Sequence, residues 1–269
     1  MIRGAVLGSP ITHSLSPVLH RSIFESLKLE GTYEAIEVRS GELQNFLESR
    51  SADFDYLSLT MPLKEEVVSL QIPQSSDVLK SQSGNTLIKR DGKWRSLSTD
   101  GLGFLNALAD IAFTNFDNVL VLGAGGTARA ICASLDGVAK KITVLGRTRS
   151  RKEALEQIVT HSHFTYEVWM DSYDTSSYSL VVNTTPSGAA DLLAENVKDV
   201  ATSLLFDVIY KPWPTKLARR WSDLGGATVS GLELLLFQGV AQIESVLEKD
   251  IQSAELIINV RKKLYEASR

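Results

Sequence analysis

Short runs of apolar and β-branched residues recur at 5–7, 33–38, 56–60, 119–122, 142–145, 180–183 and 204–208, each the length of one strand. Elsewhere apolar positions fall three and four apart, marking one face of a helix, over 17–29, 42–49, 64–70, 102–113, 127–135, 150–160, 214–224, 231–247 and 254–266. Strand and helix alternating along the whole chain predict an α/β protein with mostly parallel sheets. The polar stretch 114–118 precedes a strand that opens a new βαβ series, so two lobes are expected. The last two helices follow the end of that series and are expected to pack back on the first lobe, which makes the second an insertion. The expected boundaries are 1–101, 102–235 and, for the returning helices, 236–269.

Composition narrows the classes. With 269 residues, 43% apolar and 22% charged, the chain has the make-up of a folded protein, which excludes disorder and a coiled coil. Its longest apolar runs, such as 119–122 and 234–237, fall far short of the roughly 18 residues a membrane span needs. The apolar run at the start is too short for a secretory signal, so a cytoplasmic location is expected. The single cysteine, Cys132, cannot form an internal disulfide, and with only four scattered histidines no metal site is expected. Thirty-two acids against 28 bases give a net charge of -4 with no basic block, hence no footprint for nucleic acid. Small molecules are the expected partners.

The clearest motif is the turn Gly123-Ala124-Gly125-Gly126-Thr127-Ala128 between the apolar run 119–122 and a helical stretch. Gly123 permits a tight turn, Gly125 lets backbone approach a pyrophosphate, and small Ala128 lets the helix sit close on the sheet. The same pattern also serves flavin, nucleotide and purely structural turns, so its setting between strand and helix is what favours a dinucleotide. Cys132 on that helix reads as a small apolar residue. About 20 residues on, an NAD site places an acid at the next strand end. Here the strand ends in Gly146-Arg147-Thr148-Arg149-Ser150-Arg151, with no carboxylate. Guanidinium groups suit a 2'-phosphate, which favours NADP, although a basic, solvated helix start is the plainer reading of the same residues.

Polar residues collect near strand ends of the first lobe. Ser16 and Pro17 read as the N-cap and first residue of a helix, which leaves Ser14 unexplained and available to an anionic or polyhydroxylated ligand. Lys64 falls in the first turn of a helix begun by Pro62, where the positive end of the helix dipole disfavours an ammonium. A lysine reaching to water is the ordinary alternative. Asp100 serves equally as an N-cap or as the partner of Lys64 in acid–base chemistry that needs no histidine.

Taken together, the motifs Ser14-x-Ser16, Thr60-x-Pro62-x-Lys64, Asn85-Thr86, Thr99-Asp100-Gly101, Gly123-Ala-Gly-Gly126, Arg147-Thr148-x-x-Arg151, Asn183-Thr-Thr-x-x-Gly188, Tyr210-x-Pro212-x-x-Thr215 and Gly231 with Gln238 closely resemble the shikimate dehydrogenase family from end to end. The resemblance implies an N-terminal α/β substrate-binding lobe and an NADP-binding Rossmann lobe. It also implies reversible reduction of 3-dehydroshikimate to shikimate with NADPH in aromatic amino-acid biosynthesis. By position, Lys64 and Asp100 would be the catalytic pair, with Ser14, Ser16, Thr60, Asn85, Tyr210 and Gln238 on the substrate. Gly123, Ala124, Gly125, Gly126, Thr127, Arg147, Thr148, Arg151, Val208 and Gly231 would line the cofactor. A monomer or homodimer is expected. Three positions depart from the family pattern: Ser58 and Gly146 stand where asparagine is usual, and Ala189 where methionine often follows the glycine. Ser58 and Ala189 bear on substrate affinity, and the missing side chain at Gly146 on adenosine binding. The alternatives are a quinate or aminoshikimate dehydrogenase on the same scaffold, or a catalytically idle ligand-sensing relative.

Overall fold

The apolar runs form strands in two separate sheets. The computed structural model describes residues 1–200 and 203–269. In chain order the elements begin β1 (Ile2–Gly8), α1 (Ser16–Ser26), β2 (Gly31–Glu37), α2 (Leu43–Arg50), β3 (Tyr56–Leu59), α3 (Leu63–Glu66), α4 (Ser76–Ser81), β4 (Thr86–Arg90), β5 (Lys93–Leu97) and α5 (Asp100–Asp110). There follow β6 (Asn118–Leu122), α6 (Gly126–Leu135), β7 (Lys141–Gly146), α7 (Lys152–Ile158), β8 (His163–Val168), β9 (Leu180–Asn183), α8 (Asp191–Asn196), β10 (Leu204–Asp207), α9 (Lys216–Asp223) and β11 (Ala227–Ser230). The chain ends with α10 (Gly231–Leu247) and α11 (Ala254–Ser268). Two compact units result, Met1–Phe104 with Leu235–Arg269, and Leu105–Leu234. The boundaries fall inside α5 and α10.

The first unit carries a five-stranded sheet in the order β2-β1-β3-β4-β5. Strands β2, β1 and β3 run parallel, and β4 and β5 add antiparallel pairings, so this sheet is mixed rather than uniformly parallel. Alternation along β3 assigns its two faces. Leu57 and Leu59 enter an apolar core with Leu43 and Leu47 of α2 and Leu63 of α3. Tyr56 and Ser58 face the other way, yet they too are buried. Polar alternation normally marks a solvated face; here a hydrogen-bonded layer from α1 and α10 covers it.

The second unit carries six parallel strands in the order β11-β10-β9-β6-β7-β8. Numbered from β6, that is the 3-2-1-4-5-6 order of a dinucleotide-binding sheet, with its switch point between β6 and β9. Val119 to Leu122 are 0% exposed, as both faces of a helix-covered parallel strand require.

Several short elements escape the hydrophobic pattern. Strands β5, β8 and β11 and helices α4 and α8 are not signalled by it, because edge strands and two-turn helices bury too few residues to leave a period. Helix α3 is a single turn with Pro62 at its N-cap. One turn sums few peptide dipoles, so the dipole argument for Lys64 lapses. The N-cap of α1 is Leu15, and Ser16 is its first residue. The hydroxyl that accepts from the Ser16 N–H at 3.3 Å is that of Ser14, so the local capping contact belongs to the other serine.

Candidate active site

The first unit has its own switch point, between β1 and β3, and α/β sheets bind ligands outside the carboxyl ends of strands at such points. Both strands deliver polar segments there. Thr60 N donates to Leu7 O and Ser9 N to Met61 O, which ties the two strand ends together. A side chain on Gly8 would strike Thr60, so glycine is what permits this approach. Ser14 lies in the connection from β1 to α1 and Ser16 opens α1, Ser16 buried and Ser14 half-buried.

Lys64 projects from α3 to Asp100, the first residue of α5, with Nζ 2.5 Å from Oδ2. The carboxylate is 4% exposed and the lysine side chain 17%. Asn85 Nδ2 donates to the other oxygen, Oδ1, at 2.8 Å, so both carboxylate oxygens are engaged. The Asn85 carboxamide is itself fixed by Thr99, whose N–H donates to Asn85 Oδ1 at 2.8 Å. Gln238 Oε1 on α10 accepts from Asn85 Nδ2 at 3.1 Å. Four of the residues singled out from sequence, Lys64, Asn85, Asp100 and Gln238, therefore meet in one hydrogen-bonded cluster. Thr60 stands four residues before Lys64, at the end of β3.

The cluster rests on a close helix crossing. A side-chain carbon at Gly103 would come within 2.5 Å of Gln238 N and 2.7 Å of Gln238 Cα, so α5 and α10 touch through backbone. Gly103→Val is expected to cost about 1–3 kcal/mol by overpacking and to draw Gln238 off Asn85. Urea unfolding checks the first effect; a stability within 0.5 kcal/mol of the parent would mean that the helices are not in backbone contact.

Beneath the cluster lies a buried polar layer that the motifs did not signal. Tyr33 Oη donates to Ser58 Oγ at 2.5 Å, and Ser58 Oγ donates to Gln242 Oε1 at 2.7 Å. Gln242 Nε2 then donates to Asn85 O at 3.1 Å and Thr86 Oγ1 at 2.8 Å. His20 Nδ1 pairs with the Tyr56 hydroxyl at 2.8 Å, and its ring stacks on Tyr33. Burial pulls the His20 imidazole down to about 3, against the Gln242 side chain, which favours the charged form. Burial likewise raises the Tyr33 and Tyr56 hydroxyls. Ser58 is thus directed into this layer and supports Asn85 from behind. Gln242 was discoverable, since it follows Gln238 by four residues and so shares its helix face.

In the second unit, Gly123 closes β6 with φ +105°, and its missing side chain leaves room for Thr184 Oγ1, 2.5 Å from where a Cβ would lie. Ala124 and Gly125 follow, and a Cβ at Gly125 would meet nothing within 4 Å. Gly125 is the N-cap of α6 and has no side chain with which to cap it, so the turn presents bare backbone at a helix start. Arg147, Thr148 and Arg151 are exposed beyond the neighbouring strand end. An open glycine cradle with guanidinium groups beside it fits a phosphorylated dinucleotide in shape and charge. Val208 and Gly231 come together, the Val208 carbonyl filling the place of a Gly231 side chain. Tyr210 belongs to this unit, in the segment after β10.

Asp207, at the end of β10, was not singled out. It accepts from Asn183 Nδ2 at 3.0 Å, Thr215 Oγ1 at 2.7 Å and Ile209 N at 3.1 Å, fixing the segment that carries Val208 and Tyr210. Burial raises its carboxyl above the usual range, against those three bonds. Cys132 is buried, and desolvation pushes its thiol up to about 12, which leaves it unreactive at neutral pH. Among the described residues no helix is long and apolar enough to cross a membrane.

Residues 6–87 match the family model of the shikimate dehydrogenase substrate binding domain. A shikimate dehydrogenase (NADP(+)) of Staphylococcus epidermidis is 30% identical over 267 residues, covering 96% of each chain. One from Staphylococcus aureus is 32% identical, covering 91% of this chain and 92% of its own. Among solved structures, shikimate 5-dehydrogenase of Thermus thermophilus in complex with NADP(H) and shikimate is 28% identical, with a TM-score of 0.86 over 99% of this chain and 100% of that one. The shikimate dehydrogenase of Mycobacterium tuberculosis is 30% identical, with a TM-score of 0.84 over 99% of this chain and 100% of that one. With a hydrogen-bonded lysine–aspartate cluster, a six-stranded dinucleotide-type sheet and relatives matched over nearly their whole length, the chain belongs to the shikimate dehydrogenase family.

Proposed function

We propose that the protein is an NADP-dependent oxidoreductase that interconverts 3-dehydroshikimate and shikimate in aromatic biosynthesis. The carrying observation is the Lys64–Asp100 pair, 2.5 Å apart and held by Asn85 and Gln238 at a strand-end switch point. Under this reading the protein works in the cytoplasm, as a monomer or homodimer.

Gly123, Ala124, Gly125, Gly126 and Thr127 would hold the cofactor pyrophosphate and Arg147, Thr148 and Arg151 the 2'-phosphate, with Val208 and Gly231 also lining the cofactor. The cofactor supplies and accepts the hydride when bound. The chain's own task is to place the substrate and handle one proton. In reduction, Lys64 Nζ gives a proton to the oxygen of the ketone as charge develops there. In oxidation it takes that proton from the hydroxyl. Asp100 accepts from Lys64 throughout, which aims the amine. Asn85 holds Asp100 Oδ1, so the carboxylate cannot rotate away. Ser14, Ser16, Thr60, Asn85 and Gln238 bind the carboxylate and hydroxyls of the substrate. A site built from such groups rejects an analogue lacking one hydroxyl by roughly 10⁴-fold.

Initial rates with shikimate and quinate, each with NADP and NAD, test the reading. The shikimate–NADP combination is expected to exceed the other three in kcat/KM by at least tenfold, about 1.4 kcal/mol of transition-state discrimination. Equal or higher rates with quinate would move the substrate assignment to that acid, and shikimate binding without turnover would overturn the enzymatic reading.

A further inference from the structure

The end of β7 holds an unusual arrangement. Gly146 closes that strand, and a side chain built on it would coincide with the hydroxyl of Tyr166. Tyr166 stands on the edge strand β8, directly opposite Val144, and reaches across the strand end. Its Oη donates to Thr148 O at 2.5 Å. Thr148 Oγ1 in turn lies 2.8 Å from Ser150 Oγ. The tyrosine therefore ties down the segment 147–151 at its second residue; the residues of this segment are all exposed and three are arginines. Burial raises the Tyr166 hydroxyl, against the nearby charge of Arg151, so it stays protonated and able to donate.

Guanidinium recognition of phosphate is directional and gains from a fixed backbone. An exposed turn of polar residues has few packing contacts to fix it, and a phenol bonded to one of its carbonyls supplies one. We infer that Tyr166 is a positioning residue for the 2'-phosphate of the cofactor, that Gly146 is bare in order to admit its hydroxyl, and that the pair raises the preference for NADP over NAD. The inference rests on the NADP reading above. It also revises the expectation at Gly146: the missing side chain is replaced in space by a group from the next strand.

Calorimetric titration of the full-length protein with adenosine 2',5'-bisphosphate and with AMP tests this without turnover. For Tyr166→Phe, the Kd of the bisphosphate is expected to rise roughly three- to tenfold, the range of one hydrogen bond, with AMP affinity unchanged. Gly146→Ala evicts the hydroxyl by another route and is expected to give the same selective loss. The double variant should lose no more than either single one, because both act on the same bond. Equal losses for the two nucleotides, an unchanged bisphosphate Kd in Tyr166→Phe, or additive losses in the double variant would each overturn the inference. A parent protein that binds both nucleotides equally would sink the NADP reading and this inference with it. A parent with a clear preference that Tyr166→Phe leaves intact would sink the inference alone.

Discussion

Lys64→Ala is expected to lower kcat by about 10²–10⁴-fold, the usual contribution of a positioned proton-transfer group, with a much smaller change in the KM for shikimate. The split follows from geometry. Lys64 is one of several groups proposed to contact the substrate, whereas it is the amine in hydrogen-bond contact with Asp100 and the group assigned to the proton. Ground-state binding has substitutes that proton transfer lacks. Truncation also leaves Asp100 a carboxylate with one donor, Asn85, instead of two. Steady-state kinetics in both directions, with shikimate affinity measured separately, provide the check. Turnover within a factor of a few of the parent at unchanged affinity would remove Lys64 from its role.

Asp100→Asn is expected to cost on the order of 10²–10³ in kcat/KM, near the lower end of what breaking a buried, hydrogen-bonded charge pair costs. The replacement has nearly the same shape, so packing is preserved and the effect is electrostatic. An ionised carboxylate only accepts, and here its two oxygens accept from Lys64 Nζ and Asn85 Nδ2. A carboxamide must turn its amino group toward one of these two donors, whichever way it is flipped. Either Lys64 loses its partner or Asn85 is pushed aside, and in the second case the disturbance passes to Thr99 and Gln238. Kinetics alongside thermal unfolding separate the two cases. If more than a tenth of the parent kcat/KM survived in a variant of normal stability, the carboxylate charge would have no part in aiming the amine.

The glycine turn was legible because its chemistry is local: a strand, a tight turn and a helix start lie within one stretch of chain, and only certain residue types fit. Helix α10 was legible for a similar reason, since a long apolar period of seventeen residues leaves little doubt of its bounds. The serine pair was read correctly as a helix start but with the roles exchanged, because the choice of which hydroxyl meets a free N–H depends on the backbone angles of Leu15. Lys64 was noticed through a helix dipole that a single turn cannot supply. What fixes it is Asp100, 36 residues away. Ser58 looked like a change near a binding loop, and its surroundings place it instead in a buried layer with Tyr33 and Gln242.

By itself the sequence determined the α/β alternation and the parallel dinucleotide-type series with its glycine turn. These follow from the side-chain periods of helix and strand and from the conformations glycine and proline permit, all of which act over a few residues. Only the tertiary structure decided which polar groups satisfy one another. Asn85 and Gln238 are 153 residues apart and Ser58 and Gln242 184, and Tyr166 meets Thr148 from a strand the apolar pattern does not mark. A buried polar atom must find a partner or bear the cost of desolvation. Which partner it finds is set by how helices close on a sheet, a choice that no local preference encodes.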